Sequence, residues 1–299
     1  MAGFFGFFDY SKPGPGVPKD APEKKPFFLF FELVWRKLGQ MILLNLIYFV
    51  ILAPLLTAVY FFVYGYLFTR LQQAGADAVA QVGVNLSDMT VPPMPGLLLY
   101  VEQVLPAPIR YVLLAASMVL YGPASCGMAF MLRNFAQQQH VWTSDFFEKL
   151  KENFKQGLAL GLLDIVLLSL LVFNIFAAGG TGSALLEVTR YASMAVLFVY
   201  LLMRHYIYLM AVTFELKLKQ LLKNALIFVG AGLWRNLLAL VINGALFFVA
   251  LFLVPIAELL AEPLLLFSLT GFVVVSICFP VLKKYMIDPQ AGADSEASA

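Results

Sequence analysis

Six apolar stretches, each long enough to cross a bilayer as a helix, constrain this chain more than any other feature: residues 40–68, 109–132, 156–178, 191–213, 237–260 and 264–282. A spanning helix needs about 20 mostly apolar residues to cover ~30 Å of hydrocarbon. Its backbone polar groups must find partners within the segment, because lipid offers none. The expected fold is therefore all-α, a polytopic integral membrane bundle of six transmembrane helices. Composition agrees, with 61% hydrophobic and 13% charged residues, against roughly 45–50% and 25% in soluble domains.

The positive charges orient the bundle. Of 20 Lys and Arg residues, 16 fall in the segments that share a side with the N-terminus, from Lys12 to Lys284. Arg70, Arg110 and Arg190 lie on the other side, and Arg204 lies inside the fourth span. Lys and Arg enrichment marks cytoplasmic loops, so both termini are expected in the cytoplasm. Once placed in this way, the net charge of +2 carries no nucleic-acid footprint. The immediate partner is the lipid bilayer.

Three regions follow. Residues 1–26 form a cytoplasmic segment rich in aromatics and prolines, with Phe4, Phe5, Phe7 and Phe8 suited to the headgroup level and no cleavable signal pattern. Residues 27–285 form the membrane domain, and 286–299 a disordered cytoplasmic tail. An outer insert, 69–108, is broken by Pro92, Pro93, Pro95, Pro106 and Pro108, and reads as a connecting loop with a surface-lying piece at 97–105.

Amphipathic cytoplasmic helices are expected before the odd-numbered spans, from a repeated pattern. Phe30-Phe31-Glu32 precedes Gln40 and Phe146-Phe147-Glu148 precedes Gln156 at the same spacing, with a looser copy at Phe214-Glu215 and Asn224. In the second copy Ser144 or Asp145 is the expected N-cap. Its basic face, together with Arg133, offers a candidate partner surface: Arg133, Lys149, Lys151 and Lys155.

Within the spans, Gly122-Pro123-Ala124 and Gly127 form a run of small residues around a proline. Small residues let helix backbones approach closely, and proline frees a carbonyl, so the run reads as a tight, kinked crossing or as a hinge. Asp164 lies ~12 Å into the third span and Arg204 ~16 Å from Glu215, depths at which two antiparallel helices can bring them together. Intramembrane ionisable residues are functional candidates by default, so Asp164, Arg204 and adjacent His205 form a candidate polar site. The alternatives are a registry pair, or Arg204 snorkelling to an interface marked by Tyr200, Tyr206 and Tyr208.

Catalytic chemistry finds little support. Two histidines, His140 and His205, make no zinc pattern, and phosphate-loop and nucleophile-elbow motifs are missing from the sequence. Glu258 and Glu262 read as an interface cap, and Cys126 and Cys278 as small apolar packing residues. The expectation is a protein that is not an enzyme and takes no cofactor.

Gly122-Pro123-Ala124 leading to Leu132-Arg133-Asn134-Phe135 resembles the YesL-type membrane proteins, the domain-of-unknown-function 624 family. The resemblance continues in Trp142, Asp145-Phe146-Phe147, Asn153-Phe154-Lys155-Gln156, Phe214-Glu215, Lys219-Gln220 and Lys223-Asn224-Ala225. The outer insert departs from shorter members of that family. The resemblance implies a bacterial plasma-membrane protein encoded beside carbohydrate uptake systems. An accessory or regulatory role on carbohydrate ABC transporter subunits is therefore the leading expectation, with a small-solute permease as the alternative. A permease needs a polar path, for which the spans supply only Asn45, Thr57, Asp164, Asn174, Arg204, His205 and Asn243. A closed bundle would favour the accessory role, and a midplane cavity at Asp164 and Arg204 would favour transport.

Overall fold

The protein is described here from a computed structural model, which covers residues 25–82, 105–177, 183–250 and 262–289. Those residues are helical throughout, apart from short connections. In chain order they form α1 (Pro26–Val82), α2 (Ala107–Ala136), α3 (Thr143–Glu152), α4 (Phe154–Ala177), α5 (Ala184–Ala211), α6 (Leu218–Ala231), α7 (Leu233–Phe248) and α8 (Phe267–Leu282). A single π-helical turn adjoins α8 on each side, Glu262–Leu266 before it and Lys283–Ile287 after it. Among the described residues, five stretches are long and apolar enough to span alone: Pro26–Val59, Ala107–Ala136, Phe154–Ala177, Ala184–Ala211 and Pro263–Ile287. The pair α6 and α7, bent by 92°, supplies a sixth when taken together.

Two helix breaks separate the surface helices from the spans they precede. At the first, α3 ends at Asn153, whose side-chain Nδ2 donates to the Lys149 carbonyl at 3.0 Å before α4 begins. Asp145 sits in the first turn of α3 and accepts from the Trp142 amide at 2.9 Å, so it closes the helix start from inside the helix instead of capping it from outside. At the second, Asn236 Nδ2 reaches back to the Phe228 and Val229 carbonyls at 3.0 and 3.2 Å in the last turn of α6, where the Phe228 carbonyl also accepts from the Gly232 amide. The Tyr206 hydroxyl donates to Asn236 Oδ1. Before the first span there is no break: the expected surface helix and the span are one continuous α1.

The outer insert also begins differently from a loop, because α1 continues helical to Val82. Residues 1–24, 83–104, 178–182, 251–261 and 290–299 lie outside the described residues, and with them the aromatic N-terminal segment, nearly all of the surface piece at 97–105, Glu258 and most of the tail.

α2 is the central helix, packed against α1, α3, α4, α5 and α8. Its middle is buried continuously from Tyr121 to Met128. A few contacts gather the basic segments at one end of the bundle. Arg36 Nη2 donates to Gln138 Oε1 at 3.1 Å, and Lys37 sits over the Phe135 ring at 5.5 Å. Arg133 Nη1 donates to the Val212 carbonyl and to Thr213 Oγ1, both at 3.0 Å. Gln156 Nε2 donates to the Leu216 carbonyl at 2.7 Å, and the Phe228 and Tyr285 rings meet at 6.5 Å. The start of α1, the ends of α2, α5 and α8, and the helices α3 and α6 therefore share this end. Arg190 stands with Glu187, at 3.6 Å, at the start of α5.

Candidate functional site

The site is built on the crossing of α2 and α4. A Cβ placed on Gly122 would lie 1.8 Å from the Gly157 carbonyl oxygen and 2.7 Å from the Gly161 nitrogen. On Gly157 it would lie 2.8 Å from Pro123, and on Gly161 2.6 Å from the Gly122 nitrogen. The backbones therefore touch with no side chain between them, the contact that small residues four apart permit. Of the run singled out in the sequence, Gly122 and Pro123 form this crossing, Ala124 is fully buried, and Gly127 receives Phe146 of α3. The partner pair Gly157 and Gly161 escaped the sequence reading, although its small-x-x-x-small spacing was the signal that identifies it.

The crossing brings Tyr121 of α2 to Asp164 of α4. Tyr121 donates to Asp164 Oδ2 at 3.1 Å and Tyr208 donates to the same oxygen at 2.6 Å, while Tyr200 donates to Oδ1. Arg204 Nε lies 3.2 Å from Oδ2, and Arg204 Nη2 donates to the Tyr121 hydroxyl at 2.6 Å. A carboxylate 1% exposed is thus held by one guanidinium and three hydroxyls. Three charge-assisted hydrogen bonds and an ion pair offset the desolvation that makes a lone buried carboxylate untenable. Tyr200 and Tyr208 face this carboxylate, and Tyr206 faces Asn236, so none of the three marks an interface. Tyr200, Arg204 and Tyr208 are spaced four apart on one face of α5, a pattern legible once the face is known to be buried.

Arg204 is the member of this cluster that opens outward, with its side chain 30% exposed. It lines a cavity of about 640 Å³ walled by all six spanning helices, including Tyr48, Ser125, Leu168, Asn243 and Thr270. His205, next to Arg204, lines the same cavity and has a buried Nδ1 without a hydrogen-bond partner. Asp164 is not on the wall: it supports Arg204 and Tyr121 from behind. Most of the remaining lining is aliphatic or aromatic, from Leu52 and Leu56 of α1 to Val274 of α8.

Of the other polar residues named in the spans, Asn45, Thr57 and Asn174 are committed to structure, whereas Asn243 donates from Nδ2 to the Thr270 carbonyl at 3.3 Å and lines the cavity with a buried Oδ1 that has no hydrogen-bond partner. Asn45 Nδ2 donates to the Pro263 carbonyl and Asn45 Oδ1 accepts from the Ser268 amide, both at 2.8 Å, which secures the π turn before α8 to α1. Thr57 bonds the Ala53 carbonyl, and Asn174 donates to Ser193 Oγ at 2.7 Å. Cys126 and Cys278 are buried free thiols. On α3, Lys149 pairs with Glu152 at 2.5 Å and sits over the Phe130 ring, and Arg133 is tied to the end of α5. Lys151 is the exposed basic residue of that helix.

No curated protein and no solved structure matches the chain. A family does match, over the stretch that carries the small-residue crossing, the α3 surface helix and Asp164: residues 96–175 fit the family described as Protein of unknown function, DUF624, the same family that the sequence resembles.

Proposed function

We propose that this protein binds a small organic solute inside the bilayer and carries it across, with Arg204 and His205 as the polar side of the binding site. The observation that carries this reading is the cavity of about 640 Å³ to which every spanning helix contributes and into which a supported guanidinium opens. Pockets of 300–1,000 Å³ with a few placed polar groups are typical of small-molecule sites, and helix bundles build them between helices. The cavity moves the preference away from the accessory role that the sparse polar inventory suggests. In this reading the basic end of the bundle faces the cytoplasm of a bacterial cell, in keeping with the positive-inside rule. The family's association with carbohydrate uptake extends the solute class to hydroxyl-bearing molecules. Uptake of labelled sugars, polyols and alkyl glycosides into proteoliposomes tests it. At least one solute should accumulate with saturable kinetics and lose that uptake in Arg204→Gln; a panel that enters no faster than into protein-free liposomes removes the carrier reading.

A second reading, an accessory subunit of a carbohydrate ABC transporter, draws support from the amphipathic helix α3, which carries Lys149 and Lys151 at the charged end of the bundle. Mild-detergent capture from native membranes tests it. Transporter subunits should be recovered with the wild type and lost when Lys149, Lys151 and Lys155 are Ala. Recovery of the protein alone leaves the carrier reading in place.

A further inference from the structure

The chemistry of the cavity wall limits which solute it accepts, an argument that rests on the reading of the cavity as a ligand site. Charge is the first limit. The one strong cation that the described residues place on the wall, Arg204, already faces the Asp164 carboxylate at 3.2 Å, and that carboxylate is held by three tyrosine hydroxyls as well. The buried charges balance one another. A carboxylate, phosphate or ammonium brought into the cavity would add a charge with no counter-ion left to meet it, in surroundings where an unpaired charge is costly.

Hydrogen bonding is the second limit. A guanidinium has five N–H donors in a planar fork, more than its contacts to Asp164 and Tyr121 use. The neighbouring His205 ring, when neutral, supplies one donor and one acceptor. Together they suit a hydroxyl or amide, which both gives and receives. Shape and polarity are the third limit. Leu52, Leu56, Leu168 and Val274 supply an apolar surface that rewards a hydrocarbon body and offers nothing to a ring of hydroxyls.

We propose that the cavity takes an uncharged amphiphile, with a hydroxyl or amide head on Arg204 and His205 and a hydrocarbon body along Leu52, Leu56, Leu168 and Val274. A free hydrophilic sugar fits this wall poorly, whereas a hydroxylated molecule with an alkyl or terpenoid portion fits it well.

Three probes that share a chain and differ in head charge test the assignment: 1-octanol, octanoate and octylamine. Each is titrated into the full-length protein in lipid nanodiscs, with empty nanodiscs subtracting partition into lipid. Octanol should bind saturably and at least tenfold more tightly than either charged probe. Leu168→Trp and Val274→Trp, each of which fills the cavity from a different helix, should each weaken octanol tenfold or more while the protein remains folded by circular dichroism. Octanoate or octylamine binding as tightly as octanol, or more so, overturns the uncharged class and leaves the cavity as a ligand site. Failure of all three probes to bind above empty nanodiscs, or octanol binding that both folded tryptophan variants leave intact, overturns the cavity reading with it.

Discussion

Gly122→Ala is the sharpest perturbation this structure offers, because a single methyl group meets backbone on every side. The added carbon would lie 1.8 Å from the Gly157 carbonyl oxygen, 2.7 Å from the Gly157 carbonyl carbon and 2.7 Å from the Gly161 nitrogen. None of these is the end of a flexible side chain, so the two helices themselves must separate. Restoring a contact of about 3.2 Å requires ~1.4 Å of movement, which is overpacking of a kind that costs about 1–3 kcal/mol. The same movement stretches the bond from Tyr121 to Asp164, now 3.1 Å, beyond hydrogen-bond range. A buried polar group left short of a partner adds ~1–3 kcal/mol. The expected loss is therefore about 2–6 kcal/mol, read as a fall in the unfolding midpoint on titration with a denaturing detergent in mixed micelles. Gly39→Ala and Gly230→Ala are matched controls, since a Cβ at either meets nothing within 4 Å. They should be neutral, or stabilising by up to ~1 kcal/mol from helix propensity. Gly122→Ala unfolding at the wild-type midpoint would refute the close crossing and the alignment of the polar cluster that depends on it.

Arg204→Gln should destabilise by ~3–5 kcal/mol, because it leaves the Asp164 carboxylate buried without its cation, and Asp164→Asn added to it should recover part of that loss. A double variant costing the sum of the two single ones would show that the residues are not coupled. Asn236→Leu removes the side-chain partner of the Val229 carbonyl, one of two partners of the Phe228 carbonyl and the acceptor of the Tyr206 hydroxyl at the bend between α6 and α7, and should cost ~2–4 kcal/mol in the same assay; an unchanged midpoint counts against the bend. Asn45→Ala should speed hydrogen exchange at the Ser268 amide by tenfold or more, since that amide donates to Asn45 Oδ1, and exchange at the wild-type rate would contradict the contact.

Spans were legible in the sequence because lipid imposes a length and an apolarity that single stretches must satisfy alone. Depth was legible too: counting residues from the span ends put Asp164 and Arg204 at similar levels, and the structure holds them 3.2 Å apart. Rotation about each helix axis was not legible. Tyr200 and Tyr208 read equally well as an aromatic belt or as an inward face, and only the packing of α4 against α5 decides between them. Similarly, Asn45 looks like a member of a polar path until the helix end it serves is visible, because a capping amide and a solute-binding amide have the same composition. The break before a span follows the same rule. Asn153 and Gly232 end helices that local pattern alone resembles the start of α1, yet α1 runs on without interruption.

That uninterrupted α1 has a mechanical consequence. Its 57 residues amount to about 85 Å of rod, of which the part beyond the Pro26–Val59 span, residues 60–82, contributes about 34 Å. Pro54 lies inside this helix, so its tilt is set at that point, and a tilt of ~10° at the bilayer swings the far tip through ~6 Å. The wall of the cavity formed by Tyr48, Leu52 and Leu56 lies on the same rod. About the same pivot that tilt moves Leu56, Leu52 and Tyr48 by only about 1–3 Å, so a displacement at the tip reaches the wall reduced and a displacement of the wall reaches the tip enlarged.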